Sequence, residues 1–142
     1  MAGICFYFED SDVDVWSGKD FDAWNYACKV AGDIDKAFVI NRTSQALQSF
    51  DQRMDFRAFD NLTEAQEAMY GTRCFVGCPW DVGIYKPINE FEHAAIDWYI
   101  FGPASGWKEP HYGLCLPQAG GGAVHSVHAA TAVMFYRYWA MQ

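Results

Sequence analysis

The chain has 142 residues, 51% of them apolar and 18% aromatic, enough for one domain to offset its folding entropy by burial and too apolar for a disordered chain. Eighteen acidic residues against ten basic leave a formal charge of −8. That balance excludes broad, sequence-independent attachment to phosphate, which rests on Lys and Arg neutralising the backbone, so any RNA contact is expected to be local. The cysteines Cys5, Cys28, Cys74, Cys78 and Cys115 are odd in number and sit mostly in apolar runs. This usage suits reduced thiols in a cytoplasmic protein better than a disulfide framework. No basic stretch followed by an apolar one opens the sequence, and no apolar run is long enough to span a bilayer, so a membrane partner is not expected.

In chain order, the apolar run Ile4-Cys5-Phe6-Tyr7-Phe8 ahead of the acidic turn Glu9-Asp10-Ser11-Asp12 reads as a first, fully covered strand. Phe21, Trp24, Ala27, Cys28 and Ala31 then recur at helical spacing, and Gly32 stands where that helix should stop. Ala37-Phe38-Val39-Ile40 is a second strand, and the alternation from Met54 to Phe59 predicts a third. Thr63-Glu64-Ala65-Gln66 has the form of a capping box, placing a helix start at Thr63 and its end near Gly71. Strands follow at Arg73–Gly77, Ala95–Phe101 and Leu114–Leu116, and the stretch from Ala123 to Met141, free of Gly and Pro, reads as a terminal helix. Strands alternating with helices predict an α/β fold: a mostly parallel sheet with helices on both faces, residues 1–142 forming one domain.

In such sheets ligands sit beyond the carboxyl ends of the strands. The segments leaving the last three expected strands are Gly77-Cys78-Pro79-Trp80, Phe101-Gly102-Pro103-Ala104-Ser105-Gly106-Trp107 and Leu116-Pro117-Gln118-Ala119-Gly120-Gly121-Gly122-Ala123-Val124. Glycine beside proline directly after a strand exposes backbone amides and carbonyls without side-chain obstruction.

A strand ending in Phe-Gly-Pro, a strand ending in Leu-Pro, a glycine-containing loop and a terminal helix running Ala-Ala-x-x-x-x-x-Tyr together resemble the TrmH/SpoU branch of the SPOUT methyltransferases. The match is strongest from Asp97 to Tyr136. The resemblance implies a C-terminal trefoil knot, a homodimer joined through the terminal helices, and S-adenosylmethionine held by main-chain groups. It implies cofactor contacts at Gly77, Gly102, Leu116 and Val124, with Pro103 and Leu114 as neighbours. It further implies methyl transfer to RNA, at a ribose 2′-hydroxyl of tRNA or rRNA.

The sequence departs from the family in the catalytic set. The family's helix Arg, its Glu after Phe-Gly-Pro and its Ser-Leu-Asn correspond here to the neighbourhood of Trp24 and Asn25, to Ala104, and to Val124-His125-Ser126. Displacement at a sulfonium methyl needs an oriented nucleophile and a proton acceptor. The residues placed to substitute are Lys29 and Asn25 in the first helix and His125 and Ser126 beside the last loop, with Lys19 and His128 nearby. The alternative is a catalytically degenerate relative that binds the cofactor or a partner without transfer.

Other side chains have structural readings. His125 and His128, one turn apart, pack and cap a helix start more often than they act as a base, and a zinc site would need His93 or His111 as a further ligand. Cys74 and Cys78 lack Cys-x-x-Cys spacing and read as core. Phe135, Tyr138 and Trp139 read as core or dimer contact, whereas Trp80 and Trp107 stand evenly between stacking on a base and hydrophobic closure. Glu9, Asp10, Asp12 and Asp14 lack calcium-loop spacing and read as a solvated turn.

Overall fold

The computed structural model describes residues 1–12, 16–48, 50, 55–78, 81, 83–103, 105–116 and 127–142, with backbone alone for 84 and 85. Strands β1 (Ala2–Tyr7), β2 (Ile34–Ile40), β3 (Arg57–Phe59), β4 (Arg73–Gly77), β5 (Gly83–Pro87), β6 (Trp98–Phe101) and β7 (His111–Cys115) form one seven-stranded sheet in the order β3-β2-β1-β6-β4-β7-β5. Every pairing is parallel. The helices with described limits are α1 (Gly18–Ala31), α2 (Leu62–Glu67) and α3 (Val127–Ala140); Leu47, Gln48 and Phe50 are helical as well.

Alternation along the strands assigns the two faces. Ile4, Phe6, Val39, Val76, Tyr99 and Phe101 join the cluster that includes Phe21, Trp24 and Ala27 of α1 and Val127, Ala130, Val133 and Met134 of α3. Cys5, Phe38, Ile40, Phe75, Trp98 and Ile100 face the other way, onto Ala65 of α2, Met69 and Trp107. The expected helices on both faces are present, with α1 and α3 packed against each other on the first face. Much of the aromatic content goes into that layer. Trp16 lies 5.3 Å from Phe6, 5.2 Å from Phe21 and 5.2 Å from Phe50 between ring centroids, at angles that favour edge and tilted contact over face-to-face repulsion.

The first helix starts two residues before the Asp20 that periodicity suggests, because Ser17 and Asp20 form a reciprocal capping box; it ends at Gly32, whose φ is 66°. For α2 the expected cap is displaced. Asn61, not Thr63, occupies the cap and accepts from the Glu64 amide at 2.9 Å, while the Glu64 carboxylate accepts from the Asp60 amide at 3.3 Å. β6 begins at Trp98 because His93–Ala95 makes a 3-10 turn and the Asp97 carboxylate accepts from the Thr72 amide at 2.7 Å. β5 was not expected from sequence: it pairs with β7 alone and ends in Pro87, a residue that an edge strand tolerates. Of the expected third strand only Arg57–Phe59 is strand, Met54 lying outside the described residues, as do residues 123–126 ahead of α3.

At the amino edge of the sheet a buried polar network fastens α3. Arg137, 2% exposed, donates to the Asp33 carboxylate and to the His93 carbonyl, and to the Ile96 carbonyl at 3.2 Å. His93 donates through Nε2 to the Ile88 carbonyl at 2.7 Å, which leaves Nδ1 to accept from the Tyr99 hydroxyl at 2.7 Å. Both ring nitrogens are thereby used, so His93 is not available as a metal ligand. Among the described residues no group of three His, Cys, Asp or Glu side chains could hold a metal ion, and no helix is long and apolar enough to cross a membrane.

Candidate functional site

Parallel pairing brings the carboxyl ends of β6, β4 and β7 side by side. The Gly102 amide donates to the Val76 carbonyl at 3.2 Å, and the Leu116 amide donates to the Gly77 carbonyl at 2.9 Å. Gly77, Gly102 and Leu116, three of the expected cofactor contacts, therefore occupy one edge of the sheet. Pro103 is buried beside them, and the Leu114 side chain, fully buried, belongs to the core beneath α1 and α3. Val124, His125 and Ser126 lie outside the described residues.

The first helix runs back from the carboxyl end of β1 to the amino end of β2. Lys29, in its last turn, therefore lies at the opposite edge of the sheet from these loops, and Asn25 and Lys29 are both exposed while Phe21, Trp24, Ala27 and Ala31 face the sheet. Within one chain neither side chain joins Gly77, Gly102 and Leu116.

The space above Gly102 is taken by this chain's own indole. A Cβ on Gly102 would lie 2.6 Å from Trp107 Nε1, and that N–H donates to the Val76 carbonyl at 3.0 Å. Trp107 is 5% exposed and meets Phe75 and Tyr7 edge-on at 5.1 and 5.6 Å. Closure, not stacking on a ligand, is its role here; Trp80 lies outside the described residues.

Sequence reasoning missed Asp81. Its Oδ2 accepts from the Cys78 amide at 3.0 Å, and its own amide donates to the Cys78 carbonyl at 3.0 Å, a turn that folds the carboxylate back under the loops. Oδ1 is buried without a hydrogen-bond partner among the described residues and lies against Gly106, where a Cβ would come within 2.4 Å. Burial, then the Asp81 charge and Cys115, push the Cys78 thiol up to about 11; burial and then Asp81 also raise Cys115. Neither thiol is an activated nucleophile. The only sequence signal for Asp81 is an acid set between Trp80 and Val82 in an otherwise apolar stretch.

A cavity of about 460 Å³ opens on the α2 side of the same loop, between the carboxyl end of β1 and the start of α2. Glu9 borders it and accepts from the Ser105 amide at 2.9 Å and from the Ser105 hydroxyl, tying the β1 loop to the β6 loop. The acidic turn is tied down as well: the Glu9 amide donates to Asp12 at 2.7 Å and Asn41 donates to Asp10 at 2.8 Å. His111 stacks on Phe75 at 4.0 Å, and burial lowers its pKa, partly opposed by Glu109.

No family model and no curated protein matches the chain. Among solved structures, a candidate RNA methyltransferase from Bacillus anthracis is similar at 12% identity and TM-score 0.55, over 100% of this chain and 94% of that one. A structure described as giving insight into 2-OH methylation of C/U34 on tRNA is similar at 14% identity and TM-score 0.50, over 99% of each chain. The chain shares its fold with proteins assigned to RNA methylation. At these identities the likeness is one of architecture, and the site carries the question of activity.

Proposed function

We propose that the protein binds S-adenosylmethionine in the cleft at the carboxyl ends of β6, β4 and β7 and transfers its methyl group to RNA, at a ribose 2′-hydroxyl. The observation that carries this reading is the placement of Gly77, Gly102 and Leu116 side by side where adjacent parallel strands end, the edge at which ligands of such sheets sit. Val124 from the following loop is proposed to complete the contacts, with Pro103 and Leu114 supporting them and the terminal segment forming a trefoil knot.

The proposed active form is a homodimer through the α1 and α3 face, with residues 1–142 as one domain. Tyr26 and Val30 on α1 and Trp139 on α3 are 68%, 46% and 72% exposed, which supports an apolar contact there, whereas Phe135 and Tyr138 pack partly into the core. Because Asn25 and Lys29 point away from their own loops, a part for them in transfer requires delivery to a second chain's site. His125 and Ser126 are proposed to lie beside the methyl group. RNA contact in this acidic protein is local.

A second reading, binding without transfer, is favoured by the exposed positions of Asn25 and Lys29. Calorimetric titration of ligand-free protein with S-adenosylmethionine and S-adenosylhomocysteine tests the cleft. Micromolar affinity for either supports it, and absence of heat at millimolar ligand removes it. Transfer of labelled methyl to transcribed tRNA or rRNA then separates the two readings.

A further inference from the structure

We propose that the cavity between the start of α2 and the β6–β7 connection is a binding site for a nucleobase bearing an exocyclic amino group: adenine, cytosine or guanine rather than uracil. Its volume of about 460 Å³ lies in the range of small-molecule sites. Of the proposed cofactor residues Pro103 borders it while Gly77, Gly102 and Leu116 do not, and it opens on the sheet face opposite α1 and α3.

The lining combines aromatic surface with unused polar groups. Tyr7 and His111 supply the rings, held in place by edge contacts at 5.6 and 4.8 Å with the buried Trp107. The side chains of Tyr7, Thr63, Glu109 and His111 all border the space and make no hydrogen bond with other described residues, Thr63 and Glu109 being exposed to solvent. Apolar walls with a few convergent polar groups are what orient a flat, polar heterocycle.

Charge selects among heterocycles. Two carboxylates, Glu9 and Glu109, border the cavity against one ammonium, Lys108, which donates to the Ser105 carbonyl at 3.0 Å; Asp81, whose Oδ1 has no partner among the described residues, stands on the far side of Gly106. The surplus is of acceptors and negative charge, which disfavours a phosphate and favours donors. An exocyclic amino group places two N–H bonds where uracil places a carbonyl. A carboxylate facing a carbonyl oxygen leaves both acceptors unpaired, and a site built on acceptors rejects the ligand lacking the donor. Free nucleosides and bases within a single-stranded RNA present the same edge.

The inference stands on the cavity and does not require the cofactor reading. The test is equilibrium titration of the full chain with adenosine, cytidine, uridine and a short single-stranded oligoribonucleotide containing cytosine. Cytidine is expected to bind about tenfold more tightly than uridine, with Glu109→Gln abolishing that ratio. Tyr7→Phe and Thr63→Val, which sacrifice no internal hydrogen bond, are expected to weaken binding several-fold each at unchanged melting temperature. Binding of the free nucleoside assigns a small-molecule ligand; binding of the oligonucleotide alone assigns a base within RNA.

The proposal is overturned if neither probe binds saturably, if uridine binds as well as cytidine, or if the variants bind like the parent. Mutual displacement of cytidine and S-adenosylhomocysteine also overturns it, since the cavity would then be part of one cofactor site. Cytidine binding without S-adenosylhomocysteine binding supports the cavity and removes the proposed methyl-transfer cleft instead.

Discussion

Arg137 in the last turn of α3 donates to the carboxylate of Asp33, 104 residues earlier in the chain, just before β2 begins. The contact joins the end of the sequence to the amino edge of the sheet, and two buried carbonyls, of His93 and Ile96, depend on the same guanidinium. Replacing Arg137 by Met keeps the apolar stem and strips donors from three acceptors. The expected cost is about 3 kcal/mol, read as a lowered urea midpoint. Asp33→Asn should cost less, because its amide oxygen can still accept from Arg137 Nε. The reverse order would mean that the carboxylate charge, not the carbonyl pairing, holds α3.

Gly102 is small for the sake of Trp107. Gly102→Ala drives a methyl group to 2.6 Å from the indole nitrogen, with an expected destabilisation of about 1–3 kcal/mol from overpacking and the weakened bond to Val76. In a Trp107→Ala background the same substitution should cost much less. A double-mutant cycle in thermal unfolding measures the difference; additivity would show that the glycine serves some other neighbour.

At the start of α2, Asn61→Ala should lose about 1 kcal/mol, whereas Thr63→Ala should change stability by less than about half of that. Denaturation midpoints of the two variants distinguish the observed cap from the Thr63 cap that the sequence alone suggests.

Alkaline pH should unfold the protein cooperatively. Burial holds Cys74 and Tyr99 at about 12 and Cys28 and Cys78 at about 11, and it raises Cys5 and Cys115 as well. Unfolded thiols lose their protons near 9.0. Between pH 9 and 12 the native state therefore binds more protons than the unfolded state, so stability is full below pH 9 and falls above it. A fully buried group such as Cys5 contributes up to roughly 1.4 kcal/mol per pH unit, the half-buried Cys28 and Cys115 less because solvent screens them. Urea midpoints should be flat from pH 7 to 8.5 and collapse by about pH 11, with a shallower decline in Cys5→Ala; a flat profile to pH 11 would show that these thiols are not sequestered. Thiol-specific reagents at pH 8 should label the native chain slowly and the unfolded chain fast.

What the sequence makes legible is what local chemistry dictates. β4 has the expected limits because Cys74-Phe75-Val76 is buried on both faces, and α1 ends at Gly32 because only the cap reverses the chain there. β5 is not legible because an edge strand ending in proline owes its conformation to β7 alone. Gly77, Gly102 and Leu116, where the chain leaves β4, β6 and β7, lie side by side as the order of those strands on a parallel sheet requires. The roles of Gly102 and Asp81 could not be read, since each is set by a neighbour across the fold: Trp107 in one case, Gly106 in the other. The exposure of Asn25 and Lys29 follows from helical phase, because Phe21, Trp24 and Ala27 claim the inner face.

The β6–β7 connection carries no described helix, and it anchors itself by sinking the Trp107 side chain into the layer beneath α2. A loop fastened in this way cannot swing as a lid without drawing an indole out of the core and breaking its bond to Val76. Entry of a ligand on either side of that loop would therefore be governed by fit to a standing shape: association without a slow closing step, and discrimination set by rejection at the rim, with little capacity to remodel around a larger guest.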